Sequence, residues 1–247
     1  MSRIQASVVE HLLQVAAERR RREKDPQLQA AVHALKAYQQ QRFTRTYADL
    51  LHSQRYCTAA RFFLDELYGP SDFSQRDAQF MRVAPTLVRL FPAELVRAVE
   101  ILAKLHAVSE SLDTQMACHL LGRPIDAWAY IRAWQSTGHP AERRLQIALT
   151  LKIGITLDRY THKPLLRQTL RIMRGPARSA GLGELQRFLE AGFDAFKAMK
   201  GAEEFLQILG CRERTLADSI FGATSSEESA GFAVADATTA FALEHLP

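Results

Sequence analysis

His106, Glu110 and Asp113 are the residues whose type and spacing could do chemistry. Steps of i, i+4 and i+7 align them over about two turns of a helix. On a helical wheel they share the side that carries Leu95, Val99, Leu102, Leu105, Met116 and Leu120, while Arg97, Glu100, Lys104, Ser111 and Gln115 fall opposite. An imidazole and two carboxylates inside an apolar stripe must find partners, because an unpaired charge there costs several kcal/mol. Three uses fit. The cluster could be a buried network closed by an arginine from a neighbouring helix. It could instead line a ligand cavity or a subunit interface, or hold a metal or haem and do acid–base work. A neutral imidazole and two carboxylates can ligate iron or zinc, yet one helix cannot complete a coordination shell. The structural network is the expectation.

Other candidates are weaker. Arg61 and Asp65 stand i, i+4, a surface pair worth ~0.3–0.5 kcal/mol. Asp158, Tyr160 and His162 sit at a predicted helix end before Pro164, where the helix dipole favours a histidine. Arg19 to Arg22 close an amphipathic segment. Cations suit that negative end, so the run reads as a solvated helix end. Tyr56, Phe62, Phe63, Tyr68 and Phe73 lie among Leu and Ala, as core residues do; a base-stacking platform interleaves aromatics with cations on an exposed face.

The chain has no G-x-G-x-x-G, G-x-x-x-x-G-K-[ST], G-x-S-x-G, C-x-x-C or H-E-x-x-H. Rossmann cofactors, P-loop nucleotides, serine-hydrolase elbows and common zinc sites are therefore not indicated. None of its glutamates begins a Glu-x-x-His pair, which weighs against a ferritin-like di-iron bundle. A C-x-x-C-H haem attachment site is also missing. No cofactor is specified.

The elements that must position the cluster are helical. In 247 residues there are 36 Ala and 31 Leu against 10 Val and 10 Ile, so helix formers far outnumber β-branched aliphatics. Residues 1–24 form an amphipathic helix, with Ile4, Val8, Leu12 and Val15 on one face and the basic run at its end. Asp25-Pro26 reads as an N-cap with proline at the first helical position. Leu28, Val32 and Leu35 carry that helix on, and an aromatic-rich helix follows over 55–68, stopped at Gly69-Pro70. Ser74 to Asp77 resembles a capping box, with Pro85 as a kink. From Pro92 to Gly122 nothing breaks the chain, which predicts a long central helix over 93–121 carrying the cluster. Residues 145–157 alternate like a strand, but a lone strand has no partner, so they are read as a helix buried on all sides. Gly175-Pro176 is expected to end the helix that Pro164 starts, and a separate last helix is expected near 212–221. The reading is all-α: one multi-helix, bundle-like domain over 25–222, of eight to ten helices around the central one. Residues 223–247, acidic and rich in Ser, Glu and Gly at their start, are expected to form a mobile tail.

The net charge is +5, carried by far more Arg than Lys. An Arg excess follows from genomic composition or from recognition of phosphate or carboxylate. Spread over many helices, it makes nucleic-acid association the least favoured reading. Cys57, Cys118 and Cys211 are odd in number and far apart, as reduced thiols in the cytoplasm are. No signal peptide or membrane span is predicted.

Phe62-Phe63-Leu64-Asp65-Glu66-Leu67-Tyr68-Gly69 is followed by Asp72-Phe73 and Arg76-Asp77. With Met173 to Ala177 and Phe188 to Phe193, this resembles an uncharacterised all-helical family of proteobacterial proteins over residues 25–215. The resemblance implies a single bacterial helical domain and no particular chemistry. The function expected is binding of a small ligand or a protein partner without catalysis, with homodimerisation through helix faces. The alternative is a metal- or haem-dependent enzyme using His106, Glu110 and Asp113.

Overall fold

Helix starts follow the residues that can cap them. Asp25 Oδ1 accepts the backbone N–H groups of Gln27 and Leu28, both at 3.1 Å, with Pro26 at the first helical position. Asp126 does the same for Ala129 at 2.7 Å, and Pro140 and Pro164 each open a helix. The structure, a computed structural model, describes residues 3–66, 74–90, 93–223 and 237–247. Among these, the helices are α1 (Arg3–Glu23), α2 (Pro26–Thr46), α3 (Ala48–His52), α4 (Cys57–Glu66), α5 (Ser74–Leu90) and α6 (Ala93–Cys118). They continue with α7 (Ala127–Thr137), α8 (Pro140–Thr161), α9 (Pro164–Ser179), α10 (Gly183–Ala198), α11 (Glu203–Gly222) and α12 (Ala237–His245). No strand occurs among the described residues, and the fold is all-α.

The long helix α6 packs against α1, α2, α7 and α8, and α8 in turn packs against α10 and α11. Val8 and Leu12 of α1 pack with Phe80, Ala84 and Ala103, and Val15 on the same predicted face is buried too. Leu28, Val32 and Leu35 of α2 meet Met116, Tyr130, Ile131 and Ile220 in a second cluster. Phe43, Tyr47, Phe63, Phe196 and Phe205 fill a third.

The structure corrects several expectations. There are twelve helices among the described residues rather than eight to ten. Residues 145–157 are helical, inside α8, but not buried all round: Ile155 is 60% exposed, and Ala148, Lys152 and Arg159 are exposed on the same side. Gly175-Pro176 does not end α9. Proline forfeits one hydrogen bond to the residue four earlier, here Ile172, which is 73% exposed, so water can satisfy that carbonyl. The separate helix near 212–221 is the second half of α11, which runs on through Gly210, where Leu151 and Arg214 pack too closely for a larger side chain. The C-terminal segment is not all mobile tail. Residues 237–247 pack as α12 against α11 and α2, with Leu246 and Ala242 fully buried, because apolar side chains offset the ordering of a short helix. The expected stop at Gly69-Pro70, and residues 224–236, lie outside the described residues.

The three stretches behind the family resemblance converge on one another. The Phe62 and Phe188 rings pack at a tilt with centroids 5.5 Å apart, and a Cβ on Gly192 would come within 3.0 Å of the Phe62 ring. Glu66, nearly buried, accepts from Arg76 and Arg187. Arg174 Nε donates to both carboxylate oxygens of Glu190 at 2.7 Å, clamping α9 to α10. Tyr56, Phe62 and Phe63 are core residues, as expected; Tyr68 and Phe73 lie outside the described residues.

Hydrogen bonds from Arg174 hold the Glu190 carboxyl down to about 2 from its ordinary 4.5, against the upward push of burial and with help from Gln186 and Arg167. A folded-state value below the unfolded one makes the clamp's contribution complete above the ordinary value and lost as pH falls through the folded one. The stability gap between wild type and Glu190→Gln, followed by denaturant melts in circular dichroism, is therefore expected to close between pH 4.5 and about 2. A gap that stays constant over that range contradicts the clamp.

Candidate functional site

Burial and charge meet at Glu110. The side chain projects from the core side of α6 and is 5% exposed. Its Oε1 accepts from Lys36 Nζ of α2 at 2.7 Å, and its Oε2 accepts from Arg22 Nη2 of α1. Burial pushes this carboxyl up, but the positive charges of Lys36, His106 and Arg22 outweigh it and hold it well below the usual carboxylate range. Asp113, 8% exposed, accepts from Gln39 Nε2 at 3.0 Å. His106 lies one turn before Glu110, half-buried and within electrostatic reach of it. The structure thus brings the three sequence candidates to one seam, where α1 and α2 lie on α6. Arg22 departs from the expected solvated helix end: it is 7% exposed. A lone buried carboxylate draws in the nearest cation that can reach it, and the last turn of α1 supplies one.

The partners from α2 form a series the sequence reading missed. Lys36, Gln39 and Arg42, at i, i+3 and i+6, reach Glu110, Asp113 and Glu213 in turn; Arg42 Nη1 donates to Glu213 Oε1 at 2.6 Å. Arg42 is 4% exposed and steps by seven residues from Leu28 and Leu35. That periodicity was the legible signal of a buried cation.

Beyond Arg42 lies a cavity of about 30 Å³ between α2, α7, α8 and α11. Its wall includes Arg42, Tyr130, Trp134, Arg143, Gln146 and Glu213. Arg143, 3% exposed, lies 3.9 Å above the Trp134 ring centroid and donates to Gln146 Oε1 at 3.3 Å. The indole N–H of Trp134 is buried with no acceptor. Tyr47 Oη donates to Glu213 Oε1 at 2.8 Å. Burial raises the Tyr130 phenol, which stays neutral. These residues come from four helices, so no local spacing announces them.

The remaining candidates do not join either place. Asp158 Oδ1 accepts the Ala202 N–H at 3.1 Å, satisfying the start of α11, and His162 lies 4.0 Å from Asp158. Arg61 and Asp65 are exposed. Cys57, Cys118 and Cys211 are free thiols. Among the described residues, no three His, Cys, Asp or Glu side chains are grouped as metal ligands, and no helix is long and apolar enough to cross a membrane.

A family model described as a domain of unknown function, DUF8198, matches residues 18–227. The chain belongs to that family. No curated protein and no solved structure matches it. The DUF8198 match takes in Arg22, the three residues of the cluster and the whole cavity wall.

If the cluster serves the fold, removing one partner is costly. Glu110→Leu leaves a buried guanidinium without its carboxylate, at ~3–5 kcal/mol. Asp113→Leu leaves the Gln39 amide without its acceptor, at ~1–3 kcal/mol; His106→Leu, at a half-buried site, costs less. Thermal melts should show ~2–4 °C lost per kcal/mol in a domain of this size. A variant more stable than wild type at Glu110 or Asp113 contradicts the structural role, since functional groups are held at some cost to stability.

Proposed function

We propose that this DUF8198 member is a cytoplasmic, non-catalytic binding protein whose small-molecule ligand enters the cavity between α2, α7, α8 and α11. The observation that carries the reading is the Trp134 indole N–H, buried in the cavity wall with no acceptor in the protein. A buried donor left unmade costs about 1–3 kcal/mol, a cost a ligand acceptor removes. Gln146, Ile147 and Thr150 in the cavity wall are half-exposed, so the cavity lies close to the surface. The polar cluster is the less suitable place, because both oxygens of Glu110 are already engaged by cations. A metal or haem iron there would have to displace Arg22 and Lys36, which bears against the enzyme alternative at His106, Glu110 and Asp113.

The test is a ligand-observed NMR screen of short-chain acids, amides and alcohols against the full chain, with Trp134→Phe as control. At least one saturable binder weakened by Trp134→Phe is expected. A screen without one overturns the reading. An absorption spectrum with a Soret band, or near-stoichiometric iron or zinc in the purified protein, would move the assignment to the enzyme alternative.

A further inference from the structure

We propose that α9 docks the protein on an anionic lipid surface. The helix lies in the plane of that surface, with Leu165, Ile172 and Met173 toward the acyl chains and Arg171 and Arg178 at the phosphates. This is independent of the cavity.

The first observation is an apolar face turned to solvent. Leu165 and Ile172 stand two turns apart on one side of α9 and are 72% and 73% exposed. Met173, beside Ile172, is 46% exposed. Single exposed aliphatics are ordinary on a protein surface, but this set repeats at helical spacing. The other side of α9 is used within the fold: Leu166 and Leu170 are half-buried, Ala177 is buried, and Arg174 clamps to Glu190. α9 packs chiefly against α10 and less against α8, and residues 171–176 are all exposed.

The second is charge. From Arg159 to Gly183 the chain has six Lys or Arg and no Asp or Glu. α10 answers two of the arginines of α9: Arg167 donates to Asp194 at 2.6 Å, and Arg174 to Glu190. Arg171 and Arg178, also two turns apart, are exposed and have no carboxylate partner among the described residues. The other carboxylates of α8 and α10 are engaged elsewhere: Glu142 lies beside His139, Asp158 accepts the Ala202 N–H, and Glu184 accepts from Arg187. Two uncompensated guanidiniums therefore border the apolar face.

The third is what such a face can fit. At a bilayer interface aliphatic side chains enter the acyl boundary while cations meet anionic head groups. Nucleic acid gives the aliphatics nothing to pack on, and α9 has no aromatic residue for base stacking. A helix held in a protein groove presents anchors at i, i+3 or i+4, and i+7; here Gln168 and Thr169 occupy the middle positions. A fluid lipid surface needs no fitted middle anchor. A second copy on the same face would set Arg171 and Arg178 against themselves.

The test is sedimentation of the full-length protein with vesicles of phosphatidylcholine, alone or mixed with phosphatidylglycerol. Wild type is expected to partition at least ~10-fold more strongly onto the mixed vesicles, and to lose that preference in ~0.5 M salt. Leu165→Ser with Ile172→Ser, and separately Arg171→Gln with Arg178→Gln, should each weaken partitioning at least ~10-fold. All four positions are exposed, and circular-dichroism melts that match wild type show that the variants fold. Arg20→Gln with Lys24→Gln removes the same charge at the exposed end of α1 and should leave most of the binding in place. An equal loss in that pair overturns the assignment to α9 in favour of diffuse charge. Equal partitioning onto both kinds of vesicle overturns the anionic preference and with it the proposal. No partitioning at all also overturns it, and a wild-type dimer that the serine pair makes monomeric then assigns the face to a second copy.

Discussion

A carboxylate taken out of water has to be met by positive charge, and Glu110 is met from two directions, by Arg22 at the end of α1 and by Lys36 within α2. The first two helices are thereby tied to the third long one by a single ionised group. Coulombic attraction of this kind offsets desolvation only when the geometry is good and further hydrogen bonds complete it. Here α2 continues the arrangement one turn at a time, through Gln39 to Asp113 and through Arg42 to Glu213 on α11. Four helices are set against one another by a polar seam that runs beside the apolar clusters.

That seam also explains where an open site can be. At its α1 end the charges are closed on each other. At its α11 end the seam runs into a wall shared with α7 and α8, where Arg143 lies over Trp134 and a small space remains. The closed end suits support of the fold, and the open end suits binding. Chemistry-bearing residues are thus spread along one line, with different roles set by how completely their neighbours satisfy them.

The fold class was legible because Ala and Leu dominate and because Asp25-Pro26 and Pro164 mark helix starts by local physics. The cluster on α6 was legible because His, Glu and Asp interrupt an apolar stripe at helical spacing. Its partners were not, since which helix lies across α6 is a tertiary fact that no periodicity along α6 contains. Arg22 illustrates this: as part of four consecutive arginines it reads as a solvated end, yet one of the four faces inward. Pro176 was misread because a breaker is costly only where its lost hydrogen bond is buried, and α9 is exposed there. The tail was misread because its composition changes partway: the Ser/Glu stretch does not describe residues 237–247, whose Ala, Phe and Leu form α12.

The central claim is that Glu110 is held by its cations to fasten α1 and α2 to α6. A double-mutant cycle on urea-induced unfolding, using Arg22→Met, Glu110→Leu and the two together, measures that pairing directly. The account predicts strong coupling: each single variant is destabilised, and the double variant recovers a large part of the loss because no charge is left buried alone. Additive losses in the double variant would contradict it.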